Sequence, residues 1–123
     1  MVIHIESTRH IDGARLVGGS ARHRFRDWWE ASALFASVNT NKKGMTLDLS
    51  DPRGRELFGR LLATSDGLVE NFTPRVLEGF GFDFPTIGDL NPEAIVVRMP
   101  AFGLDGPWRD HPGFAQTLSL IHI

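Results

Sequence analysis

Cysteine is absent from the 123-residue sequence, which excludes disulfides, a thiol nucleophile and thiolate metal sites. No apolar run approaches the roughly 20 residues that span a bilayer, and the N-terminal residues lack the apolar core of a signal peptide. Positive charge is not in excess either, because 13 Lys and Arg stand against 15 Asp and Glu, a formal net charge of −2. These absences predict a cytoplasmic protein with no membrane span and no nucleic-acid partner bound through bulk charge.

The residues that are present are typical of one globular domain. Hydrophobic residues make up 41% and charged residues 23% of the chain, which excludes a disordered or collagen-like sequence. The length is sufficient for a single core. The histidines show no spacing typical of metal ligands, so the sequence predicts no metal site. They stand at His4, His10, His23, His111 and His122.

Strand and helix patterns alternate along the chain. Strands are predicted at the start, ending at Glu6, and over residues 44–49, 67–70 and 94–99. Helices are predicted over 27–38, from Pro52 to near Ser65, from Pro74 to Gly79 and around 86–90, with loops over 7–26 and 100–112. Leu57, Phe58, Leu61 and Leu62 supply the buried stripe of the second of these helices.

This order predicts an α/β fold with right-handed crossovers and a parallel sheet. Ligands of such sheets bind beyond the carboxyl ends of the strands. The loops after Glu6, Leu49, Glu70 and Met99 are therefore expected to face one crevice.

Two basic segments have more than one interpretation. Lys42 and Lys43 precede a predicted strand and could contact a phosphate, but a polar turn is the favoured interpretation. The cluster at 22–26 could form a nucleic-acid patch, but a solvated loop or an anion contact is favoured there. Neither segment identifies a ligand by itself.

The turn at Asn71, Phe72 and Thr73 joins a strand end to a helix start, where free amide groups suit anions. Phe72 could equally belong to the core. The same triplet matches the consensus of an N-glycosylation acceptor, but glycosylation is not expected without a secretory signal. Asp105 and Asp110 could act as acid or base, but aspartates in such loops more often form turns or caps.

Four sequence motifs occur in a specific order. They are N-K-K-G-x-x-L-D-L from Asn41, V-E-N-F-x-P from Val69, L-N-P-x-x-I from Leu90 and F-G-x-x-G-P from Phe102. On these motifs the chain, from about Val2 to Gln116, resembles the family III coenzyme A transferases. That family includes formyl-CoA and carnitine-type transferases, with α-methylacyl-CoA racemase as a relative.

The resemblance implies that residues 1–123 are a partial N-terminal CoA-binding α/β domain with a Rossmann-like parallel sheet. The opening VIHIES looks like the family's second strand, so the chain is expected to be incomplete at both ends. The nucleophilic aspartate of the family is expected beyond the chain end, because the pair Gly88–Asp89 precedes a predicted strand and stands in the wrong place. The parent enzyme is expected to be an interlocked homodimer, and the isolated chain to be inactive.

By the same resemblance, the adenine and phosphates of CoA are expected near four segments. These are Ser7; Leu47, Asp48, Leu49 and Ser50; Asn71, Phe72 and Thr73; and His111, Pro112, Gly113 and Phe114. Ser7 stands where formyl-CoA transferases commonly have arginine, and Gly79 replaces another frequent basic residue. Both departures weaken the predicted phosphate contact.

The implied reaction transfers CoA from an acyl-CoA to a carboxylic acid acceptor through an aspartyl-CoA thioester. CoA is a substrate here, and no permanently bound cofactor is expected. A racemase relative is an alternative, but Phe114 and Ala115 replace the His-Asp pair of the racemases. A non-catalytic CoA-binding fragment is the other alternative.

Overall fold

The computed structural model describes residues 1–16 and 26–113. They belong to two compact units, residues 1–54 and residues from 55 onward. Each unit contains one parallel two-stranded sheet.

The first unit is built on β1 (Val2–Glu6) and β2 (Lys42–Thr46). In their parallel register Val2 lies opposite Lys42 and Glu6 opposite Thr46. The described part of the connection carries α1 (Gly13–Leu16), a 3₁₀ helix (Trp28–Ala31) and α2 (Ala33–Val38). Buried Ser32 joins two of these helices, because its Oγ accepts from the Phe35 amide and donates to the Ala14 carbonyl at 2.6 Å.

Two boundaries in the first unit differ from the predicted ones. The helix predicted over 27–38 is broken at Ser32, whose extended backbone and side-chain cap start a new helix. The strand predicted over 44–49 runs from Lys42 to Thr46. It begins after Asn41, which has a positive φ of 63°, and it ends where Asp48 Oδ1 accepts from the Ser50 amide at 2.9 Å.

Helix α3 (Pro52–Leu62) begins as predicted and ends three residues before Ser65. Its start is stabilised by Asp51, whose Oδ1 accepts from the Arg53 amide at 2.8 Å. The predicted stripe is buried at Phe58 and Leu62, whereas Leu57 is 46% exposed.

The second unit is built on β3 (Gly67–Glu70) and β4 (Ile95–Arg98). They pair in parallel with Glu70 opposite Arg98, and α4 (Pro74–Gly79) and α5 (Phe84–Leu90) lie between them in sequence. The core contains Phe58, Leu62, Leu77, Phe82 and Ile87. The rings of Phe58 and Phe82 pack edge-to-face with centroids 4.7 Å apart.

The α/β class and the parallel pairing are therefore confirmed. The described strands form two sheets of two strands, where the sequence predicted one sheet. Within residues 1–16 and 26–113, no helix has the length and apolar character that a membrane crossing requires.

Candidate functional site

In the first unit, the loops after β1 and β2 are joined by Arg9. Its Nη1 donates to Ser50 Oγ at 2.9 Å, and its Nε lies 3.4 Å from Asp48 Oδ2. Ser7 Oγ accepts from the Arg9 amide at 3.1 Å. Three of the expected site residues thus contact Arg9: Asp48 and Ser50 contact its guanidinium, and Ser7 contacts its backbone amide. No motif in the sequence pointed to Arg9, although the residue stands two positions after Ser7.

The carboxylate of Asp48 holds this arrangement in its charged form. The hydroxyl and the amide of Ser50 donate to it, and Arg9 and His10 add positive charge nearby, so the pKa of Asp48 lies below its ordinary value. A charged carboxylate repels a phosphate. Asp48 therefore orients Arg9 and Ser50 and is unsuited to contact an anion itself.

Leu47 and Leu49 belong to the same segment, but they differ in character from its polar residues. Leu47 is buried, and its amide donates to the carbonyl of Glu6 at 3.0 Å, which ties the end of β2 to the end of β1. Leu49 is half-buried. The side chain of Leu47 is buried within the first unit and is therefore not available to a ligand.

Lys42 and Lys43 lie at the other end of the strand. Both are exposed at the start of β2, and Lys42 Nζ donates to Asn39 Oδ1 at 3.0 Å. At about 3.3 Å per residue, they stand roughly 10 Å or more from Thr46, the carboxyl end of β2. The structure therefore places the pair on strand β2 itself, directly after the polar turn that ends at Asn41, and away from the carboxyl end of that strand.

In the second unit, the turn between β3 and α4 presents Asn71 and Phe72 to solvent. Phe72 is 45% exposed, so it is not a core residue of the described structure. Thr73 is half-buried and stands at the N-cap of α4, but its side chain makes no capping hydrogen bond. Helix α4 is six residues long, as the sequence predicted, and so short a helix offers only a weak dipole to an anion.

The loop after β4 carries the remaining site residues. The ring of exposed His111 packs against Trp108 and Phe102, with centroids 6.2 and 6.4 Å away. Pro112 is exposed, and Gly113 is half-buried so close to Ala101 that an added Cβ would collide with its Cβ. Phe114 lies outside the described residues, as does the basic cluster at 22–25.

The two aspartates of this loop differ from each other. Asp105 is exposed, whereas Asp110 Oδ1 is buried and, within the described part of the chain, has no hydrogen-bond partner. Its nearest cation is Arg109, whose Nε lies 3.8 Å away. Neither geometry resembles an acid–base pair.

A cavity of about 440 Å³ lies on the β1–β2 sheet of the first unit. Ser7 lines it together with His4, Glu6, Arg15 and Trp29, among other residues. Its volume is within the range of small-ligand sites. The expected site residue Ser7 therefore borders a space that could hold part of a ligand.

Beside this cavity, the fold gathers His4, Glu6 and Asp12, three potential metal ligands that linear spacing did not reveal. His4 Nε2 lies 3.3 Å from Asp12 Oδ2. Both oxygens of Glu6, however, accept from Arg15 Nε, at 2.7 and 3.1 Å. That guanidinium neutralises Glu6 and would repel a cation, so the cluster is a poor metal site.

Arg15 is held in its charged state at this place. Burial would lower its pKa, but hydrogen bonds to Glu6 and Glu30 outweigh burial and raise the pKa above the ordinary value. The guanidinium carbon also lies 3.6 Å from the centroid of the Phe35 ring, a cation–π distance. Arg15 thus organises the wall of the cavity.

Comparison with known proteins identifies the class. The model of CoA-transferase family III matches residues 1–121. The chain belongs to CoA-transferase family III.

Several individual proteins are similar to this chain. The chain is 38% identical over 107 residues to the succinyl-CoA–L-malate CoA-transferase beta subunit of Chloroflexus aurantiacus, covering 85% of this chain and 26% of that protein. It is 40% identical over 95 residues to the formyl-CoA:oxalate CoA-transferase of Rhodopseudomonas palustris, covering 76% and 22%. The crystal structure of a CAIB/BAIF family protein from Brucella suis matches with a TM-score of 0.79 at 29% identity, covering 98% and 31%. The chain thus spans about a quarter of the length of the curated relatives it matches.

Proposed function

We propose that this chain supplies CoA-binding residues to an enzyme that transfers coenzyme A between carboxylic acids. The family match and the CoA-transferase names of its relatives support this proposal. The observation in the chain that carries it is Arg9, a guanidinium that is 67% exposed and fixed between Ser50 and Asp48. Acyl-CoA and an acceptor acid are the proposed substrates, and the proposed setting is a homodimer in the cytoplasm.

Arg9 offers what a phosphate of CoA requires. A guanidinium has five N–H donors in a fixed fork that matches phosphate oxygens. One of them donates to Ser50 and another lies near Asp48, which leaves donors directed to solvent. Arg9 therefore compensates for the serine at position 7, where formyl-CoA transferases commonly have arginine.

Each unit also offers residues that we propose for CoA binding. In the first unit they are Ser7 and the segment from Leu47 to Ser50, in which Leu47 acts through its backbone and Asp48 by orienting Arg9. In the second unit they are Asn71, Phe72, Thr73 and the segment from His111 to Phe114. Exposed Phe72 offers an aromatic face on which an adenine can stack.

For the chemical step we propose an aspartyl-CoA thioester whose aspartate comes from outside these residues. The carboxylate attacks the acyl-CoA thioester and releases the CoA thiolate, which attacks the resulting aspartyl anhydride to give aspartyl-CoA and the free donor acid. The acceptor carboxylate then attacks aspartyl-CoA, and the thiolate released in that step attacks the new anhydride, which yields the CoA thioester of the acceptor and regenerates the aspartate. The pair Gly88–Asp89 is part of helix α5 and does not form a nucleophile loop. Sequencing of the coding region beyond Ile123 tests this step, because an open frame without a Gly-Asp motif contradicts it.

Calorimetric titration of the chain with CoA tests the binding proposal. We expect saturable heat for the wild type and about tenfold weaker binding for Arg9→Gln, since a hydrogen bond to a charged group contributes about 1.5–3 kcal/mol. Arg60→Gln is the matched control, because Arg60 is exposed on α3 and carries the same charge. Flat traces for the wild type, or equal affinities for the two variants, contradict the proposal.

A further inference from the structure

A buried ion pair lies at the carboxyl end of β3. The side chain of Glu70 is 3% exposed and that of Arg98 is 11% exposed. Arg98 Nε donates to Glu70 Oε1 at 2.7 Å, across the β3–β4 register in which the two residues are direct partners. Removing charges from water is costly, and the mutual attraction of a well-placed pair offsets that cost only in part.

The two side chains hold the turn that follows β3 from both sides. Glu70 Oε2 accepts from the Phe72 amide at 2.8 Å. Arg98 Nη2 donates to the carbonyl of Pro74 at 3.4 Å. The backbone of the turn is therefore fixed before and after Thr73 by one ion pair.

The charged network extends from this pair to the loop after β4. Arg98 Nη1 lies 3.8 Å from Glu78 Oε1 on α4. Arg109 Nη2 donates to both oxygens of Glu78, at 3.0 and 2.8 Å. Arg109 is only two residues before His111, so the network connects the two segments of this unit that carry expected CoA contacts.

Apart from the buried ring of Pro74 at its end, the side chains of the turn itself do little to define its shape. The side chain of Thr73 makes no capping bond, and Asn71 and Phe72 are exposed. The hydrogen bond from the Phe72 amide to Glu70 therefore helps to hold Phe72 in its solvent-directed position. A purely structural role would be served as well by two apolar side chains, which usually stabilise such a position at least equally.

We propose that Glu70 and Arg98 are positioning residues for CoA binding, which hold the 71–73 turn in the conformation that presents Asn71 and Phe72 to the ligand. This inference rests on the proposed function. It assigns to the ion pair a role in affinity that is separable from its role in stability.

The double variant Glu70→Leu/Arg98→Met separates the two roles. Because it removes both charges at similar volume, we expect a denaturant midpoint near that of the wild type. CoA affinity, measured by calorimetry on the 123-residue chain, is expected to fall about tenfold, and hydrogen exchange at the Phe72 amide to accelerate. Glu93→Gln, an exposed glutamate of the same unit, is the control and should change none of these quantities.

Equal CoA affinity of the double variant and the wild type overturns the positioning role, even if Phe72 exchanges faster. Absence of CoA binding by the wild type overturns the proposed function and the inference with it. If the double variant does not unfold cooperatively, Arg98→Lys decides. It keeps a positive charge beside Glu70 but loses the fork that reaches Pro74, so we expect about fivefold weaker binding, and unchanged affinity refutes the role.

Discussion

Gly54 marks the closest approach of α3 to the loop before it. A Cβ at this buried position would collide with the carbonyl oxygen of Asp48. Alanine is the better helix former by about 0.5–1 kcal/mol, but the collision outweighs this gain. We expect Gly54→Ala to lower the free energy of unfolding by about 1–3 kcal/mol, as overpacking does, measured by urea denaturation.

Gly88 is the matched comparison, because it is also helical but has open space around its missing Cβ. Gly88→Ala is expected to raise the free energy of unfolding by about 0.4–1 kcal/mol. Equal effects of the two substitutions would show that the approach of Asp48 to Gly54 is not restrictive. Nothing in the linear sequence distinguishes these two glycines, since the difference lies in the path of a loop.

The start of α5 is sensitive to acid because an aspartate caps it. Asp83 caps α5, and the Thr86 hydroxyl and amide that donate to it hold its pKa below the ordinary value of 3.8. A carboxylate with a depressed pKa stabilises the fold above its unfolded pKa, and this contribution is lost as the pH falls through the folded pKa. We therefore expect the denaturant midpoint to fall below about pH 4.

Asp83→Asn tests this expectation, because asparagine also caps helices but does not titrate. The variant should lose less stability than the wild type between about pH 5 and pH 2, followed by circular dichroism in urea. Asp105→Asn, in the exposed loop after β4, should leave the acid dependence unchanged. An identical acid profile for Asp83→Asn and the wild type would contradict the assignment.

At the scale of elements, the sequence predicted which strands and helices form better than it predicted where they begin and end. The bounds of β3 agree residue for residue, because Gly67 and the turn after Glu70 delimit a short apolar run. Strand β2 begins two residues earlier and ends three residues earlier than predicted. Beyond the end of the strand, the Ser50 amide donates to Asp48 Oδ1 and forms a local turn. The alternation L-D-L predicts a strand at Asp48, because the sequence alone does not show that hydrogen bond.

At the scale of the whole molecule, one face of the β3–β4 sheet is apolar and open. Val69 is 67% and Ile95 71% exposed, and Val97 is on the same face. Exposed apolar strand surface promotes association. We expect the chain to self-associate with rising concentration in sedimentation velocity, and Val69→Thr/Ile95→Thr to reduce this, since threonine keeps β propensity. Association that is unaffected by the double variant would place the contact elsewhere.

The candidate site could be predicted only in part at this scale. The resemblance indicated Ser7 and the 47–50 segment separately. The structure connects them through Arg9, whose side chain contacts Ser50, 41 positions further along the chain. Likewise, Glu70 and Arg98 are 28 positions apart, and only the strand register makes them partners. The sequence pattern alone does not show which distant residues pair with each other.

The ion pair between Arg9 and Asp48 has a consequence for the proposed binding of CoA. The guanidinium is partly neutralised by a carboxylate before any ligand arrives, so its solvent-facing donors attract an anion less strongly than those of an unpaired arginine would. For the proposed contact between Arg9 and a phosphate of CoA, this shielding lowers the affinity and shortens the lifetime of the complex. Moderate affinity of that kind suits a ligand that has to be bound and released repeatedly.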